Sequence, residues 1–124
     1  MRKAAHLITA ASAVAVLLGS MTVMVPATAN AADAKTIAEG KALAFNRKKG
    51  NCLACHQMDD GQLPGNIGPP LVAMKARFPD KAKLRAQIYD ASKNNPNSVM
   101  PPFGPHEILT NDEIDKIVEY VYTL

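Results

Sequence analysis

A chain of 124 residues with no Trp and only 5% aromatic residues holds one domain with a thin core. Its formal charge of +3 includes Arg2 and Lys3, which fall in an expected leader. Without them 12 basic residues face 11 acidic ones, a balance that gives no basis for a nucleic-acid or membrane-surface partner.

The leader comes first in chain order. Arg2 and Lys3 precede an apolar stretch over residues 7–25, Pro26 ends any helix, and Ala29-Asn30-Ala31 offers small residues for signal peptidase. An uncleaved anchor is the rival reading. The stretch reaches 19 residues, but Thr9, Ser12, Gly19, Ser20 and Thr22 dilute it, and a spanning helix wants about 20 mostly apolar residues. The expected organisation is a cleaved signal peptide over 1–31 and one domain over 32–124. Arg2-Lys3 is not a twin-arginine pair, so the pattern predicts Sec-type export, to the periplasm.

Asp33 is placed to cap a helix over 35–46, with Ile37, Lys41, Ala44 and Phe45 at helical spacing. Gly40 inside it either permits close packing on another helix or is merely tolerated, at about 1 kcal/mol against Ala. Arg47-Lys48-Lys49-Gly50 reads as the helix end, with Gly50 as a left-handed cap. Residues 59–70 and 94–104 are rich in Gly, Pro and Asn or Asp and read as long loops. Such loops want a function or something to wrap around. Between them, Pro79 and Asp80 open a helix reaching about residue 91, with Leu84, Ile88 and Ala91 on one face. The last helix is signalled most strongly. Thr110 and Glu113 make a capping box, Leu109 and Ile114 a hydrophobic staple, and Ile114, Ile117, Val118, Val121 and Leu124 an apolar stripe. No run alternates with period two, so the domain is all-α.

Cys52-Leu53-Ala54-Cys55-His56 is a C-x-x-C-H motif, the attachment signature of c-type haem. Two cysteines three apart on a helical turn can add to the two vinyl groups of one haem edge. The next residue then points its imidazole at the iron. Other readings are weaker. A disulfide here would close a tiny loop of little stabilising value. A thioredoxin-like pair needs a βαβ context, and zinc wants four ligands.

Methionine opposite histidine is the electron-transfer arrangement and raises the potential. Met58 lies too close to His56 to reach the far side easily, and Met74 looks like a core residue of a short helix. Met100, in a loop stiffened by Pro101 and Pro102, is the preferred sixth ligand, with His106 as the alternative. A ligand histidine normally donates its other ring N–H to a fixed acceptor. The Pro69 carbonyl is a candidate for that bond, and Leu71 for packing on the haem face.

Three strings together carry a resemblance: residues 50–56, Gly68-Pro69-Pro70-Leu71, and Met100-Pro101-Pro102-Phe103-Gly104. The chain resembles a class I cytochrome c, and within that class SoxX, the monohaem subunit of the SoxAX thiosulfate-oxidising complex. The likeness covers essentially the whole mature chain. It implies three to four helices and long loops around one haem, His56/Met100 ligation, and a SoxA-like cytochrome subunit as partner. It further implies that the chain serves an L-cysteine S-thiosulfotransferase, in which thiosulfate is joined oxidatively to a cysteine of the SoxYZ carrier. Only Cys52 and Cys55 are present. If haem takes both, this chain transfers electrons and leaves the sulfur chemistry to a partner. A freestanding soluble cytochrome shuttling between larger complexes is the alternative.

Small domains bury a low fraction of their surface, so a haem plate would supply much of this core. A Cys52→Ala, Cys55→Ala double variant is therefore expected to be largely unfolded. Far-UV circular dichroism checks this, and full native helicity in that variant would refute it.

Overall fold

Thr110 caps the start of the best-defined element. Its hydroxyl accepts from Glu113 N at 3.2 Å while the Glu113 carboxylate accepts from Thr110 N at 2.9 Å. Both halves of the expected capping box are thus made. In this computed structural model, which describes residues 32–124, four α-helices run in chain order: α1 (Ala34–Phe45), α2 (Met74–Arg77), α3 (Lys81–Tyr89) and α4 (Asn111–Val121). Single 3₁₀ turns occupy Cys52–Ala54 and Ala91–Lys93, and no strand occurs among the described residues. The expected leader, its cleavage point and His6 lie outside the described residues. Among the described residues no helix is long and apolar enough to cross a membrane.

The core gathers on α4. Ile114, Ile117, Val118 and Val121 are all buried, as their spacing predicts, and Leu109 is buried beside Ile114 in the staple. Tyr120 is also buried, from the α1 side, with its ring edge-on to Phe45 at 6.3 Å. Leu84 and Ile88 of α3 and Met58, Met74 and Phe103 from the intervening segments complete the cluster.

The α1–α4 contact is the most extensive between helices, and it settles the role of Gly40. A Cβ there would lie 2.6 Å from the Lys116 carbonyl carbon and 2.9 Å from Tyr120 Cβ. Backbone cannot yield as a flexible side chain can, so Gly40 is the residue that lets the helices touch. Ion pairs flank the contact: Lys116 binds Glu39 at 3.0 Å and Asp112 at 2.8 Å.

Two expected boundaries shift. Helix α1 stops at Phe45, one residue early, because the Asn46 side chain accepts from Lys48 N at 2.8 Å and draws the backbone into a turn. Gly50 is not the left-handed residue; Asn51 is, at φ 46°. Gly50 is buried instead, where a side chain would crowd the Leu43 carbonyl and Cys52 Sγ. Helix α3 likewise ends at Tyr89 rather than near residue 91. The Asp90 carboxylate accepts from Ser92 N at 3.1 Å and starts a 3₁₀ turn.

Lys49 binds the Glu113 carboxylate at 2.8 Å, and this contact, then the Thr110 N–H, holds its pKa below the ordinary 4.5. A depressed carboxyl pKa contributes stability above the unfolded value, and that stability is lost as pH falls through the folded value. Glu113→Gln should therefore lower stability at pH 7 and flatten the stability curve below about pH 4.5. Denaturant titrations across pH 3–7 measure both effects.

Candidate functional site

Asn51 turns the chain into the 3₁₀ segment, and both Cys55 N and His56 N donate to the Cys52 carbonyl, at 3.1 and 2.9 Å. The C-x-x-C-H residues thus form one helical turn, as the motif requires. Both thiols are free. Burial, with a smaller contribution from nearby Cys55, pushes the Cys52 thiol up to about 11. A protonated thiol is a poor nucleophile for disulfide exchange, which needs the thiolate. The βαβ context of a thioredoxin-like pair is absent, since the described residues contain no strand. Among the described residues no group of three or more His, Cys, Asp or Glu side chains could hold a metal ion, so a four-ligand zinc site has no support.

The loop after the motif folds back over it. Gly65 N donates to the Leu53 carbonyl at 2.9 Å and Gly68 N to the Cys55 carbonyl at 2.8 Å. This strap brings the Pro69 carbonyl to 2.7 Å from His56 Nδ1. A carbonyl only accepts, so the proton sits on Nδ1 and the lone pair on Nε2. Gly68 lies against the flat of the same ring, where an added Cβ would come 2.5 Å from Nδ1 and 2.8 Å from Nε2.

His56 belongs to the wall of a cleft of about 790 Å³, which Cys52, Cys55, Pro69, Leu71 and Met100 also line. All six residues singled out in the sequence therefore come together. Met58 does not line the cleft and is fully buried in the core. Met74 is a buried wall residue, with its sulfur 3.5 Å from Arg77 Nη1. His106 is exposed and away from the cleft.

Sequence reasoning missed several contributors. Arg47, Lys48 and Lys49, read as a helix terminus, lie in the cleft wall, as does Arg77. These four are the charged lining residues, and all are cationic. The first three adjoin the motif, which was the available signal; nothing local points to Arg77. The volume falls in the range of small-molecule sites, roughly 300–1,000 Å³. Apolar walls, a ring nitrogen freed for a metal and a wholly cationic charged lining fit a flat apolar group carrying carboxylates. Haem is such a group.

Fold and site together define a cytochrome c domain, an electron-transfer module. Residues 35–121 match the family described as "Cytochrome C oxidase, cbb3-type, subunit III", and the chain belongs to that family. It is 41% identical over 76 residues to an uncharacterised lipoprotein of Aquifex aeolicus (strain VF5), covering 60% of this chain and 37% of the relative. The chain thus spans little more than a third of that relative's length. Among solved structures it is similar to a chain of the SoxXA crystal structure from P. pantotrophus, at 28% identity and a TM-score of 0.62, covering 69% of this chain and 79% of that one. The fold is that of a cytochrome c domain similar to a chain of SoxXA, in agreement with the resemblance carried by the motif and proline loops.

Gly68→Ala should push the His56 ring off its Pro69 acceptor, at a cost of about 1–3 kcal/mol for an overpacked site. Denaturant unfolding measures the cost. A shift of the His56 ring resonances by NMR reports the displacement.

Proposed function

We propose that the chain is the electron-transfer haem subunit of a SoxAX-type complex, accepting electrons released when thiosulfate is joined oxidatively to a cysteine of a SoxYZ-like carrier. The observation that carries this reading is the convergence of Cys52, Cys55, His56 and Met100 on one cleft. The likeness to SoxXA, at a TM-score of 0.62, supplies the kind of partner: a SoxA-like cytochrome subunit in a heterodimer.

In this reading Cys52 and Cys55 would hold one haem c through thioethers, and His56 Nε2 and Met100 Sδ would bind its iron. The bound haem iron would store and release one electron. The protein residues do the rest. Pro69, by accepting from Nδ1, fixes the His56 ring and raises its basicity. Met100 brings a thioether, a soft ligand that favours the reduced state. It comes from a loop separate from the segments that hold His56. Met74, in contrast, is tied into α2 and faces the Arg77 guanidinium. Leu71 contributes an apolar wall that keeps water from the site. Arg47, Lys48 and Arg77 offer counter-charges to carboxylates.

With both thiols engaged, no sulfur nucleophile remains on this chain. Persulfide chemistry then belongs to the partner. The apolar leader pattern, the lipoprotein relative and the cytochrome c family support an exported protein. On the leader pattern alone, 1–31 is a cleaved signal peptide and 32–124 a periplasmic domain.

Met100→Ala should abolish the sulfur-to-iron absorption band at the red end of the ferric spectrum; an unchanged band would exclude Met100. Co-purification tests the assembly. A tagged chain is expected to bring down a SoxA-like cytochrome at a stoichiometric level, whereas recovery of monomer alone would favour a freestanding shuttle.

A further inference from the structure

The Pro69 carbonyl can fix His56 only if its own peptide plane is held. Pro69 and Pro70 lack N–H groups, so neither can be pinned by a donated backbone bond. The flanking residues are pinned: Gly68 N to the Cys55 carbonyl and Leu71 N to the Gln57 carbonyl, both at 2.8 Å. Between them the segment offers only acceptors. Among the described residues two side chains use these acceptors. His56 takes the Pro69 carbonyl, and Arg77 Nη1 donates to the Pro70 carbonyl at 2.8 Å.

Arg77 is itself anchored. It is the last residue of α2, whose first residue, Met74, is buried and donates its N–H to the Leu124 carbonyl at 2.9 Å. Phe78 follows, with its N–H on the Met74 carbonyl at 2.8 Å and its ring packed against the core. A continuous tie therefore runs from the end of the α4 region through α2 and Arg77 to the two prolines and His56.

We propose that Arg77 is a positioning residue of the iron site: by bonding the Pro70 carbonyl it holds the neighbouring Pro69 carbonyl on His56 Nδ1. It acts through the proline segment rather than by touching the iron. The inference rests on the reading of His56 as the axial ligand.

The test is the solvent-exchange lifetime of the His56 Nδ1 proton in the reduced, haem-loaded protein, measured by NMR beside the Val118 amide of α4. Arg77→Met should speed exchange at His56 by about tenfold, the scale of one hydrogen bond, while Val118 stays unchanged. Arg77→Lys, which can still donate to Pro70, should recover most of the lost protection. An unchanged His56 lifetime in Arg77→Met would overturn the proposal. So would a parallel loss at Val118, which signals general destabilisation, or equal exposure in the Lys and Met variants. The ligand reading fails separately: His56 ring protons without the large displacement produced by a haem plane would sink it in the unsubstituted protein.

Discussion

The contact of Gly40 with the Lys116 backbone sets the distance between α1 and α4, and the haem-motif turn hangs from that pair. On the upstream side Lys49 binds Glu113 in the first turn of α4. On the downstream side Lys41 of α1 donates to Asp59 and Asp60, each at 2.7 Å, and Tyr120 of α4 donates to Asp59 at 3.3 Å. Burial, and then the Asp59 carboxylate, raise the Tyr120 phenol above its ordinary range and keep it a donor. The motif is thus strung between the two ends of α4. A change in helix spacing would pull both supports at once. Each exposed ion pair is individually worth little; their value here lies in where they tie the chain.

The cleft follows from the same arrangement. One wall is the motif turn, a second is the strap over residues 65–71, and a third is the loop carrying Met100. Long loops in so small a domain would be costly to order without a shared partner. A bound plate in the cleft would give all three a common surface. The charged lining is cationic throughout, so a carboxylate-bearing group is admitted with its charges compensated. The two thiols of the chain both lie in that lining, as an electron-transfer site for haem requires.

Local signals proved legible where the physics is local. The Thr110/Glu113 capping box, the Asp33 cap and the α4 stripe from Ile114 to Val121 depend on neighbours within a turn or two and form as read. Leu124, the expected end of the stripe, lies past α4 and is half-buried. Errors arose where a residue had two competing uses. Gly50 suits a left-handed cap, but tertiary crowding claims it, and Asn51, the other residue type that tolerates positive φ, takes the turn. Asn46 and Asp90 end their helices early because short polar side chains capture nearby N–H groups.

What the sequence alone determined is the chemistry: a C-x-x-C-H turn, three helices with their start signals, and two proline loops, all encoded by residues close together in the chain. What only the tertiary structure decided is which of these meet. Gly40 could not be read as a packing glycine until the Lys116 carbonyl was found across from it, 76 residues along the chain. The Pro69 carbonyl on His56 and the Arg77 guanidinium on Pro70 are likewise products of the strap closing. The physical reason is that a hydrogen bond or close contact between distant segments depends on the path of everything between them, whereas a cap or an apolar stripe depends on a few neighbours.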